Sequence, residues 1–184
     1  SLYGVKVLDR RGSGAYSTIA SGVDWAVSNG MSVANMSLGG TSDSATLHAS
    51  ITAAVAANVV IVAAAGNEGL NASTSYPAAY EGEVIAVSAW DTTTSSFASF
   101  SNYGTVVDVA AQGVDVCSTN KSGGYEKTWG TSMSWPHVAG AVAVYRAKNP
   151  GSSFATVEAA IEANVTALPD TSTHTENLSI ISGM

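Results

Sequence analysis

The sequence predicts an α/β domain with a parallel sheet held between helices in three layers. Two observations carry that expectation. Short, β-branched apolar runs alternate with longer helical patterns along the 184 residues, the signature of β–α–β units. The runs are also apolar almost throughout, as in Val59–Ala65. A strand of that kind is covered on both faces, which a parallel sheet requires.

Taken in order, Leu2–Leu8 is expected as a buried strand. Ala15–Asn29 reads as a helix with Ile19, Val23, Ala26 and Val27 inward, closed by Gly30. Val33–Ser37 is the next strand, and Ser44–Ala57 a helix capped near Thr41–Ser44 with Ile51 and Val55 on its apolar face. Val59–Ala65 is a buried strand that stops at Gly66-Asn67, and Val84–Ser88 and Val106–Ala110 are two more. Thr92–Ser101 is rich in Ser and Thr, but Phe97 and Phe100 make it an ordered surface loop. Ser132–Ala147 is a long apolar helix stopped by Asn149-Pro150-Gly151, and Phe154–Ala163 a shorter amphipathic one. No repeat or linker interrupts the chain, so residues 1–184 are read as one domain. In such a sheet, reactive groups collect beyond the carboxyl ends of the strands. That gathers Ser37–Gly40, Ala65–Asn67 and the turn before residue 132 at one rim.

Composition narrows the function classes. With 46% hydrophobic and 11% charged residues the chain can bury a substantial core. Seven Lys and Arg against fourteen Asp and Glu give a formal net charge of −7, which disfavours nucleic acid and anionic membranes as partners. No apolar run approaches the roughly 18 residues of a membrane span. Cys117 is the one cysteine, so no internal disulfide forms, and its place in Val114–Ser118 suggests a buried structural thiol. A nucleotide-binding domain is excluded because no Gly-x-Gly-x-x-Gly follows any strand.

The chemistry concentrates in Gly130-Thr131-Ser132-Met133-Ser134-Trp135-Pro136-His137-Val138-Ala139-Gly140. This run places a serine on a glycine-led turn at the start of an apolar helix. Its hydroxyl then lies beside unpaired N–H groups and the positive end of the helix dipole. Such groups stabilise a developing oxyanion, which suits acyl transfer. The alternative is a simple helix N-cap, a role that Ser and Thr fill well.

Those eleven residues resemble the nucleophile motif of the subtilisin-like serine proteases. Further matches follow in the family's order: Leu2-Tyr3-Gly4-Val5-Lys6-Val7-Leu8, Asn35-Met36-Ser37-Leu38-Gly39-Gly40, Ala63-Ala64-Ala65-Gly66-Asn67, Tyr76-Pro77-Ala78 and Ser99-Phe100-Ser101-Asn102-Tyr103-Gly104. The similarity weakens after about Asn164. It implies a secreted endopeptidase acting on peptide or protein substrates. Ser132 would be the nucleophile, and its N–H together with the Asn67 amide would form the oxyanion site. The main chain of Ser37, Leu38 and Gly39 would bind an extended substrate as an added strand. Ala64, Ala65 and Gly66 would wall a roomy apolar pocket. The family has a cis bond before the residue matching Pro77. Carbonyls of Pro77 and Ala79 with the Asp91 carboxylate would make an all-oxygen calcium site, though Asp91 equally reads as an ordinary loop acid.

The chain departs from the family pattern in two ways. The family's histidine base and orienting aspartate precede the segment matching Leu2–Leu8, so the resemblance implies that the N-terminal third of the domain is absent. That part would be a cleaved segment that stays bound, or polypeptide not included in this chain. None of the three histidines substitutes for the base. His137 follows Ser132 by five residues on one helix, about 140° around it. His48 is a solvated helix residue, and His174 lies in a Thr/Ser-rich tail. The chain alone is therefore expected to be inactive, and the alternative reading is an inert peptide-binding fragment. An uncovered apolar sheet edge would also make it poorly soluble or dimeric. The second departure is Trp135, where the family has a small residue. It is expected to displace a neighbour or to project toward the leaving-group side of the cleft.

Overall fold

A computed structural model describes residues 1–167 and 179–180. His174 lies outside them. The chain forms, in order, α1 (Tyr16–Ser28), β1 (Val33–Met36), α2 (Ala45–Ala56), β2 (Val60–Ala64), β3 (Val84–Asp91), β4 (Ser96–Phe97), β5 (Val109–Gln112), β6 (Val116–Thr119), β7 (Tyr125–Thr128), α3 (Thr131–Lys148), α4 (Phe154–Ala163), β8 (Thr166–Ala167) and β9 (Ser179–Ile180). The main sheet runs β1-β2-β3-β5-β9-β8, with β4 paired to β3. The first four strands of that order are mutually parallel, with Met36 beside Ala63, Ala64 beside Val87 and Trp90 beside Gln112. The expected α/β layering is present.

The period-2 geometry of a strand explains how β2 builds two cores at once. Val60 and Val62 face α3 and α4, among Ile85, Val87, Val109, Trp135, Val138, Val142, Phe154 and Ile161. Ile61 and Ala63 face α1 and α2, among Ile19, Val23, Leu47 and Ile51. The helices are set by local signals. The Ser44 hydroxyl accepts from Leu47 N at the start of α2, and the Ser153 hydroxyl from Thr156 N at the start of α4.

Several expected elements change. Leu2–Leu8 forms no strand. Only Val7 and Leu8 pack against the core, while Leu2 is fully exposed. A groove of about 470 Å³ separates this segment from α1 and β1. Among the described residues β1 is therefore the edge of the main sheet. The strand expected at Val106–Ala110 starts later, at Val109, because Val106 and Val107 pack instead into a small core with Trp90 and Phe97. The loop Thr92–Ser101 carries the short strand β4 against β3. Cys117 is exposed. Its strand, β6, belongs to a two-stranded hairpin off the main sheet, with no layer to bury it.

Trp135 is also corrected. It is 1% exposed and lies in the core between α3 and the sheet, not at the cleft. The spacing Trp135, Val138, Ala139, Val142 is one helical face, and that face meets β2, β3 and β5. Trp135→Ala should therefore lower unfolding free energy by about 3–5 kcal/mol in urea titration, the cost of a large aromatic cavity. Asp108 generates a second prediction. Burial pushes its carboxyl up to about 7, opposed by a hydrogen bond from Ala86 N, and Glu158, Glu162 and Glu81 add to the rise. Between about pH 4 and pH 7 the folded state thus holds a proton that the unfolded state has lost. Stability falls as pH rises through that window, by up to roughly 1.4 kcal/mol per unit. Asp108→Asn keeps an acceptor for Ala86 N and should flatten the profile of melting temperature against pH.

Candidate active site

β1 and β2 end side by side, and the chain beyond them forms the rim of the sheet. Past Met36 the ladder with β2 stops. Ser37, Leu38 and Gly39 then continue with no backbone hydrogen bond among the described residues, until Gly40 exchanges two with Tyr76 (2.9 and 2.8 Å). The Tyr76–Pro77 peptide bond is cis. One strand over, β2 runs through Ala64 to Gly66, whose φ of 114° turns the chain sharply outward.

The start of α3 is brought to this rim by a contact made across 64 positions. The N-cap of α3 is Gly130, with φ 137° and no side chain to cap the helix. The Asn67 side chain does that work instead. Its Oδ1 accepts from Thr131 N (2.7 Å) and from Thr131 Oγ1 (2.9 Å). Both lone-pair directions of the Asn67 carbonyl oxygen are thereby occupied, which orients its Nδ2 amide as the free end.

Ser132 is the second residue of the helix, not its cap. It is half-buried, and its hydroxyl has no hydrogen-bond partner among the described residues. Its N–H falls among the orphan donors of the first turn. No acidic residue sits in that turn to neutralise the positive end of the helix. Ser37, Leu38, Gly39, Ala64, Ala65, Gly66, Asn67 and Ser132 all line one groove of about 290 Å³. A free hydroxyl, an orphan backbone N–H and an oriented amide therefore share one cavity with an unpaired extended segment.

A family model for the subtilase family (peptidase family S8) matches residues 1–178. The chain belongs to the subtilase family. It is 48% identical over 171 residues to subtilisin E of Bacillus subtilis, covering 91% of this chain and 44% of that protein. It is 47% identical over 173 residues to subtilisin DY of Bacillus licheniformis, covering 92% of this chain and 62% of that one. A solved structure of a cold adapted subtilisin-like serine proteinase superposes with a TM-score of 0.89 at 34% identity, covering 97% of this chain and 65% of that one. The subtilase chain described here thus spans about half to two-thirds of the relatives it matches.

The two described histidines of this subtilase chain, His48 and His137, are engaged elsewhere. His137 Nδ1 lies 2.9 Å from the Met133 carbonyl of its own helix. His48, read from sequence as solvated and without a carboxylate, stacks on Tyr80 at 3.9 Å and meets Glu83 Oε2 at 2.9 Å. The Tyr80 hydroxyl in turn donates to Asp43 (2.8 Å), and burial with that carboxylate pushes its pKa up to about 12. Sequence reading missed this cluster because its partners lie 35 residues away. Pro77 and Asp91, two of the three residues read as a calcium site, make local hydrogen bonds. The Asp91 carboxylate accepts from Thr93 N in its own turn (2.8 Å), and the Pro77 carbonyl accepts from Tyr80 N (3.0 Å). No cluster of three or more His, Cys, Asp or Glu side chains suited to a metal occurs among the described residues.

Gly66 is the tightest point of the site. A Cβ there would stand 2.2 Å from Asn102 Nδ2 and 2.7 Å from Glu68 Oε2. Gly66→Ala should destabilise the fold by roughly 1–3 kcal/mol from backbone strain alone. It should also displace Asn67, visible as a lowered melting temperature and altered amide shifts at Thr131.

Proposed function

We propose that this chain carries the nucleophile half of a serine endopeptidase active site, with Ser132 as the attacking residue. One observation carries the reading. The free Ser132 hydroxyl shares its groove with the Asn67 amide, whose carbonyl end is already committed to Thr131. A peptide in that groove would pair with the main chain of Ser37–Gly39 as an added strand, with Ala64, Ala65 and Gly66 beside the residue preceding the cut bond. Ser132 Oγ attacks the carbonyl carbon, and its proton passes to an imidazole base. The oxyanion that forms accepts from Ser132 N–H and Asn67 Nδ2. Collapse expels the amine, which takes the proton back from the imidazolium and leaves an acyl-serine. Water then releases the acid by the same route in reverse.

We infer that the imidazole and its orienting aspartate come from polypeptide outside these 184 residues: His48 and His137 are held by Glu83, Tyr80 and the α3 backbone, and His174 lies outside the described residues, in a Thr/Ser-rich stretch with no motif match. The chain alone is inert toward peptides, since the members of a triad act as a unit. The substrates are peptides or proteins met outside the cell.

Mass spectrometry under denaturing conditions, after treatment with a sulfonyl fluoride, tests this reading. We expect one label on Ser132 in preparations that contain the complementary segment, and none on the isolated chain. Stoichiometric labelling of the isolated chain would overturn the external base. A label on another serine in the complemented protein would overturn the nucleophile.

A further inference from the structure

The groove is shaped from behind by a residue that the roles above leave unused. Asn102 sits in the loop after β4, 1% exposed, and does not line the groove. Its carboxamide nevertheless meets the 65–70 turn at four points. Oδ1 accepts from Glu68 N (3.0 Å) and Leu70 N (3.0 Å). Nδ2 faces three acceptors, the Ala65 carbonyl (3.1 Å), Glu68 Oε2 (2.8 Å) and Ser75 Oγ (3.1 Å). Its own N–H donates to the Gly66 carbonyl (3.0 Å). Two donors at one end and three acceptors at the other fix the amide in one orientation.

The link to Asn67 runs through Glu68. The Oε2 that accepts from Asn102 Nδ2 also accepts from Asn67 N (2.9 Å). The backbone of Asn67 is therefore held by a carboxylate that Asn102 holds, and its side chain by Thr131. Asn102 is itself anchored to β3, where Ser88 Oγ donates to its carbonyl (2.6 Å). The absent side chain at Gly66 is what lets the amide approach, since a Cβ there would collide with Nδ2.

We propose that Asn102 is a positioning residue for catalysis: through Glu68 it sets the backbone of Asn67, and so aims the Asn67 amide at the oxyanion. This rests on the reading of Asn67 as an oxyanion donor. The interaction matters most where charge develops, so its loss reduces turnover rather than ground-state binding. A neutral amide also suits the position better than a carboxylate would, because the site it faces is already acidic.

The test uses the full protein with its complementary segment, and three forms: Asn102→Ala, Asn102→Asp, and Asn102→Asp combined with Glu68→Gln. The Asp variant keeps shape and acceptors but places two carboxylates in contact. The double variant removes that repulsion but not the loss of the link, because the one Glu68 atom that accepts from both Asn102 Nδ2 and Asn67 N cannot donate to the first and accept from the second. We expect kcat to fall roughly 10–100-fold in both single variants with KM within about twofold, the scale of a small misplacement. The double variant should recover melting temperature but not kcat. Amide hydrogen exchange should accelerate at Glu68 and Leu70 in Asn102→Ala, and stay unchanged in the middle of α3. Unchanged kcat alongside faster exchange would overturn the positioning role, as would a double variant whose kcat recovers in step with its melting temperature. If the parent protein hydrolyses no peptide, the protease reading fails instead. Exchange at Glu68 and Leu70 then decides whether Asn102 holds the turn: unchanged rates in Asn102→Ala overturn it.

Discussion

The site depends on one amide, the side chain of Asn67, which closes the distance between the end of β2 and the start of α3. A helix that begins at a glycine has orphan N–H groups and nothing of its own to satisfy them. Asn67 supplies the acceptor from 64 residues away and caps α3 through both the backbone and the hydroxyl of Thr131. A typical N-cap contributes about 1 kcal/mol, and here the same contact also sets the geometry of the groove that Asn67 and Ser132 share. It spends the acceptor end of the amide on structure and leaves the donor end for chemistry. It also brings the Ser132 turn into register with the substrate-facing end of the sheet. Gly66 and Gly130 follow from this constraint, since each adopts a positive φ that side chains resist, on either side of the joint.

The two cores explain why the joint can be held rigidly. β2 is buried on both faces, so its end cannot shift without disturbing α1 and α2 on one side and α3 on the other. α3 is pinned to the same sheet by Trp135, Val138 and Val142. Serine and amide are thus mounted on two elements that share one packed interior. The peptide-facing segment Ser37–Gly39, by contrast, projects beyond the last ladder pair and keeps its main chain free. Precision and availability are divided between the buried ends and the unpaired extension.

Much of this was legible in the sequence because it depends on local pattern. The helix at Phe154–Ala163 and the stop of β2 at Gly66-Asn67 follow from periodicity and from turn chemistry. The place of Ser132 followed from the glycine-led turn, and the groove residues fell at strand ends as the parallel sheet requires. What could not be read was set by neighbours distant in sequence. Leu2–Leu8 has strand composition, but a strand exists only through pairing, and composition does not say whether a partner stands on each side. Cys117 alternates like a buried strand residue, yet its hairpin has no layer above it. Trp135 looked out of place beside small residues because the space it fills belongs to β2, β3 and β5. His48 seemed alone until the chain brought Glu83 and Tyr80 back to it.

The composition of α3 shows a related division between its ends. Pro136 lies inside the helix, where a missing N–H and a ring clash usually cost about 3 kcal/mol. The carbonyl that loses its i+4 donor is that of Ser132. Ser132 is therefore held less firmly by the helix ladder than its neighbours, on its carbonyl side as well as at its orphan N–H. Its position must come from outside the ladder: from Thr131 fixed by Asn67 on one side, and from Trp135 packed in the core on the other. At the far end Arg146 and Lys148 lie in the last turn, where positive charge suits the negative end of the dipole, and the Arg146 guanidinium donates to the carbonyls of Asn58 and Ser152. The C-terminal end is thus neutralised by basic residues and tied to the fold, while the first turn at the N-terminal end holds no acidic residue of its own. The neutral Asn67 amide that caps this end adds no negative charge beside the first-turn N–H groups, where an aspartate would offset the positive end of the dipole.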